Sequence, residues 1–151
     1  MEKTFNIMQQ TRSNFLALVD GLSLAQLNTI PDGCSNKIAW NFGHIIVTQQ
    51  LLCYTVPGFE AKMPHELIDK YRKGTKPEEA ISEAELEQLR QFSVSLFEVL
   101  VKDYNGGFFT SYKTYPTSYG VELNSIEDAI QFLTVHEGLH LGYAMALRKL
   151  V

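Results

Sequence analysis

The sequence has little from which to build several common functions. It holds only two cysteines, Cys34 and Cys53, and no Cys-x-x-Cys. That excludes a thiol-rich metal site, a dithiol redox motif and a disulfide framework. No Gly-rich phosphate loop follows a strand-like segment. Lys and Arg number 13 against 17 Asp and Glu, for a formal net charge of −4. No basic cluster could track a phosphate backbone, so nucleic-acid binding has no electrostatic support. No apolar run approaches the length of a bilayer span, and Met1–Phe5 lacks the core of a signal peptide. The expectation is a cytoplasmic protein with both thiols reduced, without a nucleic-acid or membrane partner.

What is present is enough for one sizeable core. The chain has 151 residues, of which 45% are hydrophobic, so we expect a single domain over residues 1–151. Four long segments carry helical periodicity. The first spans about 2–20, with Phe5, Met8, Phe15, Leu18 and Val19 among its apolar positions, and Gly21 ends it. Ser23–Leu27 adds one further turn before the Pro31-Asp32-Gly33 break. The second runs from about 35 to 55 and is apolar around most of its circumference, the mark of a buried central helix. The third opens on the capping box Ser82-Glu83-Ala84-Glu85 and continues to about Lys102. The fourth opens on Ser125-Ile126-Glu127-Asp128 and runs nearly to the end.

The connections complete the picture. A short link makes the first two helices expected neighbours. Residues 57–81 form a long crossover, with a short helix after Pro64. Residues 103–124 form an irregular Tyr-rich loop with room for a small hairpin; its aromatics either cover a pocket mouth or pack on the surface. The expected fold class is all-α, a four-helix bundle with a long crossover between helices two and three.

The four histidines are His44, His65, His136 and His140. His136 and His140 lie four apart on the last helix, within about 40° of each other on a face otherwise carrying Ile126, Ala129, Leu133, Tyr143, Ala144 and Leu147. Two imidazoles on such a face are costly unless their nitrogens are satisfied, and a metal ion does that well. His44, on the buried second helix, shares a mixed surface with Trp40, Asn41 and Thr48, as a pocket wall would. A lone buried histidine is more often a hydrogen-bonded core residue, so His44 becomes a ligand only if helices two and four face each other. His65 falls in a charged crossover and reads as surface. Three imidazoles suit Zn²⁺, Ni²⁺ or Fe²⁺ and leave positions open.

His136-Glu137-Gly138-Leu139-His140 also matches the H-E-x-x-H pattern of zinc proteases. No His, Glu or Asp follows it to supply a third ligand. Glu137 falls about 60° from His140, at the edge of the site, and reads as a flank of the pocket rather than as a base. The pocket-lining candidates are thus Trp40, Asn41, Thr48, Glu137 and Tyr143. Arg12, Lys37, Arg148 and Lys149 could grip an acidic ligand but read as solvated surface. Gly138 and Gly142, opposite the histidines, suggest a face that packs closely on a helix of the bundle or of a second subunit.

Trp40-Asn41-Phe42-Gly43-His44-Ile45, His136-Glu137-Gly138-Leu139-His140-Leu141-Gly142 and the Gly21–Leu27 turn together resemble the DinB-like (damage-inducible) metal-dependent bundle family, whose relatives include bacillithiol transferases and mycothiol-dependent isomerases. The likeness spans essentially the whole chain. It implies an up-down-down-up bundle, a divalent metal (Zn, Ni or Fe) on His44, His136 and His140, and often a homodimer. Relatives with an established reaction mostly activate a low-molecular-weight thiol cofactor for transfer or isomerisation. The implied function is a metal-dependent transferase acting on a small-molecule substrate. A non-catalytic metal- or ligand-binding stress protein is the alternative, and metal-dependent hydrolysis the weaker one.

Overall fold

The computed structural model describes residues 1–76 and 78–151. Among the described residues, six α-helices, one π-helical turn (Leu51–Thr55) and one hairpin of two-residue strands make up the regular structure: α1 (Glu2–Asp20), α2 (Leu24–Asn28), α3 (Ile38–Gln50), α4 (His65–Tyr71), α5 (Glu83–Asn105), α6 (Ile126–Leu147), β1 (Tyr115–Pro116) and β2 (Glu122–Leu123). The long helices α1, α3, α5 and α6 form the bundle, and the fold is all-α apart from the hairpin.

The starts of the helices are written locally. Ser82 Oγ accepts from the Glu85 amide at 3.1 Å, and Ser125 Oγ accepts from the Asp128 amide at 3.1 Å. Each satisfies one of the orphan donors of a first turn. Around α2 the capping box is complete, with Ser23 and Gln26 bonded reciprocally. At α5 only half of the box forms, because the Glu85 carboxylate is drawn off to Lys70 Nζ at 2.7 Å and Tyr71 Oη at 2.6 Å. That diversion ties the crossover helix α4 to α5.

Two apolar clusters stack along the bundle. One gathers Leu18, Ile38, Leu86, Leu89 and Leu147. The other gathers Phe5, Met8, Leu52, Leu100 and Leu133. Chain order through them sets direction: α1 and α6 start in the second cluster and end in the first, while α3 and α5 run the opposite way. The bundle is therefore up-down-down-up. At the junction sits a buried polar layer. Arg12 donates to Glu137 from Nη2 at 2.7 Å and from Nε at 3.2 Å, and from Nη1 to the Ser93 carbonyl at 3.1 Å. Gln49 donates to the Leu96 carbonyl at 3.0 Å in the same layer.

One expectation about packing fails. Helices α1 and α3 are diagonal and touch only slightly; each packs mainly on α6 and α5. The link between them is short in sequence but not tight. It is held at its middle by Asn28, whose side chain bonds the Ile81 amide and carbonyl and accepts from Lys37 Nζ. It thus carries the chain across the bundle end rather than turning back.

Helix α3 is enclosed from Ile38 to Val47 and continues as a π-helical turn over Leu51–Thr55. Such turns widen a helix and expose an altered face. Gly43 lets α4 approach: a Cβ there would lie 2.5 Å from the Tyr71 ring.

Candidate metal centre

The antiparallel pairing of α3 and α6 brings three rings together. Ring centroids are 5.1 Å apart for His44–His136, 4.7 Å for His44–His140 and 4.6 Å for His136–His140. One nitrogen from each lies within 4.8 Å of the other two. The i, i+4 spacing accounts for the α6 pair. The close seat of α4 on Gly43 accounts for the orientation of His44: its Nδ1–H donates to the Tyr71 carbonyl at 2.6 Å. The Nδ1–H of His140 donates to Asn41 Oδ1 at 2.7 Å, and Asn41 is itself fixed by donating to the Lys37 carbonyl at 2.8 Å. These bonds assign the Nδ1–H tautomer to both rings and leave each Nε2 with a lone pair. Thr48 Oγ1 lies 3.4 Å from His44 Nε2.

Electrostatics keep the rings neutral. Burial, then the neighbouring His140 and His44, push His136 down to about 3. Burial, then His44, takes His140 down to about 4. Burial lowers His44 as well, against the Tyr71 carbonyl. His136 Nδ1 is buried with no hydrogen-bond partner. Neutral rings with free lone pairs, beside an orphaned ring nitrogen, are a donor set that a divalent cation satisfies.

A cavity of about 300 Å³ opens on the cluster. Leu51, Leu52, Phe132 and Leu139 supply its apolar walls, and Thr48 a hydroxyl. The hairpin region supplies Tyr115, Thr117, Ser118 and Tyr119. Tyr112, earlier in that loop, anchors it by donating to the Leu52 carbonyl at 3.0 Å. The Tyr-rich loop thus borders the mouth. A larger cleft of about 610 Å³ lies behind Trp40, among Lys37, Lys70, Glu78 and Glu79, and holds no histidine.

The other expected pocket residues are divided. Thr48 lines the cavity. Trp40 and Asn41 stand behind the ligand set: Trp40 stacks on His44 at 4.5 Å and 13°, and its Nε1 donates to Thr75 Oγ1 at 3.1 Å. Glu137 does not flank the pocket. It is fully buried on the α1–α5 side of α6, held by Arg12. Its step of about 100° from His136 turns it into the bundle interior. Burial pushes its carboxyl up, and the guanidinium opposes that. Tyr143 also lies outside the cavity, half-exposed against Cys34. Arg12 and Lys37 are buried rather than solvated. His65 is exposed, as expected. A Cβ at Gly138 or Gly142 would meet nothing within 4 Å beyond its own helix among the described residues, so their face does not pack within the bundle.

The sequence model of the DinB superfamily matches residues 7–144. This chain belongs to the DinB superfamily. Among solved structures, it is similar to a conserved protein from Enterococcus faecalis, with a TM-score of 0.72. The match covers 99% of this chain and 95% of that one, at 14% identity, a likeness of fold alone. No curated protein matches. DinB membership and the three-histidine cluster together fit a metal-binding protein.

Sequence reasoning missed two features of this DinB protein. The first is the Arg12–Glu137 pair. Its signal was a cation among Phe5, Met8 and Phe15 on one apolar stripe and an anion on another, an unusual placement for either. The second is Lys73, in the turn after α4, which also lines the cavity. No local signal marks it.

Proposed function

We propose that His44, His136 and His140 hold a divalent metal, Zn, Ni or Fe, and that the chain uses it to activate a small molecule, with a low-molecular-weight thiol as the group transferred. The observation that carries this reading is the convergence of three neutral rings on one cavity, two of them oriented from behind by Tyr71 and Asn41. When bound, a divalent ion supplies a Lewis-acidic centre that favours the anionic form of a group brought to it. The chain's own residues do the rest. Tyr71 and Asn41 hold the ring tautomers, Leu51, Leu52 and Phe132 keep the cavity apolar, and Thr48 offers a hydroxyl.

No carboxylate lines this cavity among the described residues. Chemistry that needs a protein base is therefore disfavoured. Glu137, the base that H-E-x-x-H hydrolysis requires, is paired with Arg12. The same absence favours the second reading, metal or ligand binding without turnover. A relationship to bacillithiol transferases belongs to this proposal, as do a small-molecule substrate, a homodimer and a cytoplasmic setting free of nucleic acid and membrane. Among the described residues, no helix is long and apolar enough to cross a membrane.

Metal analysis of untagged protein, beside a His136→Ala variant, tests the first step. The wild type should carry metal and the variant should not; equal content in both would remove the ligand assignment. Thiol-dependent consumption of an electrophile by the loaded protein then separates transfer from binding alone.

A further inference from the structure

Cations cluster where the crossover passes the cavity. Lys70 is held by Glu85 at 2.7 Å, and Arg72 by Asp69 at 3.3 Å. Lys73 has no carboxylate partner among the described residues, and it is the cation that lines the cavity. It stands in the turn Arg72–Gly74, where Gly74 adopts a φ of +89°. Two residues earlier, the Tyr71 carbonyl orients His44. One short segment therefore both sets a ring of the cluster and presents a positive charge to the same space.

The cavity also has an aromatic wall. Tyr119 meets Phe132 edge-on at 6.1 Å, and Phe132 lies 5.9 Å from His136. Tyr119 is 60% exposed, an unusual amount for an aromatic side chain bordering a cavity. Apolar walls with a few placed polar groups are the ordinary composition of a small-ligand site, and this volume is at the small end of the range. The cavity's charged side chain is positive, and nothing acidic among the described residues opposes it there.

We infer that Lys73 anchors the anionic group of the cavity's ligand, a small carboxylate-bearing molecule whose flat apolar body rests against Tyr119 and Phe132. The inference rests on the reading of this cavity as the ligand site, and it specifies what that ligand carries. Lys73 is a binding residue, separate from the three rings.

The probes are phenylpropionate and its uncharged counterpart phenylpropanol. Their affinities are measured by calorimetry for the wild type, Lys73→Gln and Lys73→Arg, each zinc-loaded and chelator-treated. Phenylpropionate should bind the wild type more tightly than phenylpropanol in both states. Lys73→Gln should weaken phenylpropionate by about fivefold or more and leave phenylpropanol unchanged; Lys73→Arg should retain most of the affinity. Equal affinity for acid and alcohol, a Lys73→Gln protein that binds the acid like the wild type, or no binding of either probe would overturn the inference. Zinc uptake is recorded on the same samples. Failure of the wild type to take zinc defeats the metal proposal; normal zinc uptake with Lys73-independent binding defeats this inference alone.

Discussion

Replacing Glu137 by Gln should destabilise the protein severely while leaving the cavity intact. Glu137 is fully buried and Arg12 is 3% exposed, joined at 2.7 Å across the centre of the bundle. The Gln side chain is nearly isosteric, so the change removes charge rather than volume. It leaves the guanidinium without a counter-charge, since no other carboxylate among the described residues reaches it; the Gln amide oxygen and the Ser93 carbonyl remain as neutral acceptors. Breaking a buried pair from one side costs about 3–5 kcal/mol. For a chain of this size, a melting temperature moves by about 2–4 °C per kcal/mol, so the fall should be about 6–20 °C. Urea unfolding supplies the free energy and a thermal melt the temperature. The double variant Arg12→Met, Glu137→Met should recover most of the loss, because two apolar side chains strand no charge. A Glu137→Gln protein within about 0.5 kcal/mol of the wild type, the size of an ordinary surface change, would refute this placement. It would also revive Glu137 as a residue of the pocket.

Three further expectations follow from the site and its supports. Asn41→Ala removes the acceptor of His140 Nδ1–H and should lower metal affinity by about 10–100-fold with the helical spectrum unchanged; unaltered affinity in a competition titration would contradict the role. Gly43→Ala puts a Cβ 2.5 Å from the Tyr71 ring and should cost about 1–3 kcal/mol, read by urea unfolding; a neutral result would mean that α4 is not held as described. In metal-free protein, His136 and His140 titrate at about 3 and about 4, against about 6.5 when unfolded. The unfolded chain therefore binds more protons across that window. The stability these rings contribute is complete above about pH 6.5 and is lost as pH falls towards 4 and then 3. Melts at stepped pH should show this, and His136→Leu should flatten the slope; an identical slope in the variant would contradict it.

The legible parts of the fold were the local ones. Ser82 and Ser125 announce helix starts because a hydroxyl three residues before an amide is a short-range geometry. His136 and His140 announce a face because four residues make about one helical turn. The mixed face of the second helix marks His44 as a candidate, but only the resemblance implies that it meets the other two, because spacing alone cannot say that helices two and four face each other. What stayed hidden was decided across the chain. Arg12 and Glu137 are 125 residues apart, and a single charge on a helix is ordinarily solvated. The diagonal placement of α1 and α3 depends on how Asn28 is tied to Ile81 and Lys37, a tertiary matter. Lys73 lines the cavity from the turn after α4, a helix whose seat on α3 at Gly43 is likewise a tertiary matter. Tyr143 departs from expectation in the reverse way: it shares the histidine stripe on the wheel, but it lies outside the cavity, beside Cys34.

The central claim is that the rings of His44, His136 and His140 form one coordination site. A metal-edge anomalous difference map from crystals of untagged protein soaked in zinc tests it directly. A shared site requires a strong peak within bonding distance of a nitrogen from each of the three rings, about 2.0–2.1 Å. A map with no peak there, or with zinc bound elsewhere while the three rings stay uncoordinated, would contradict it.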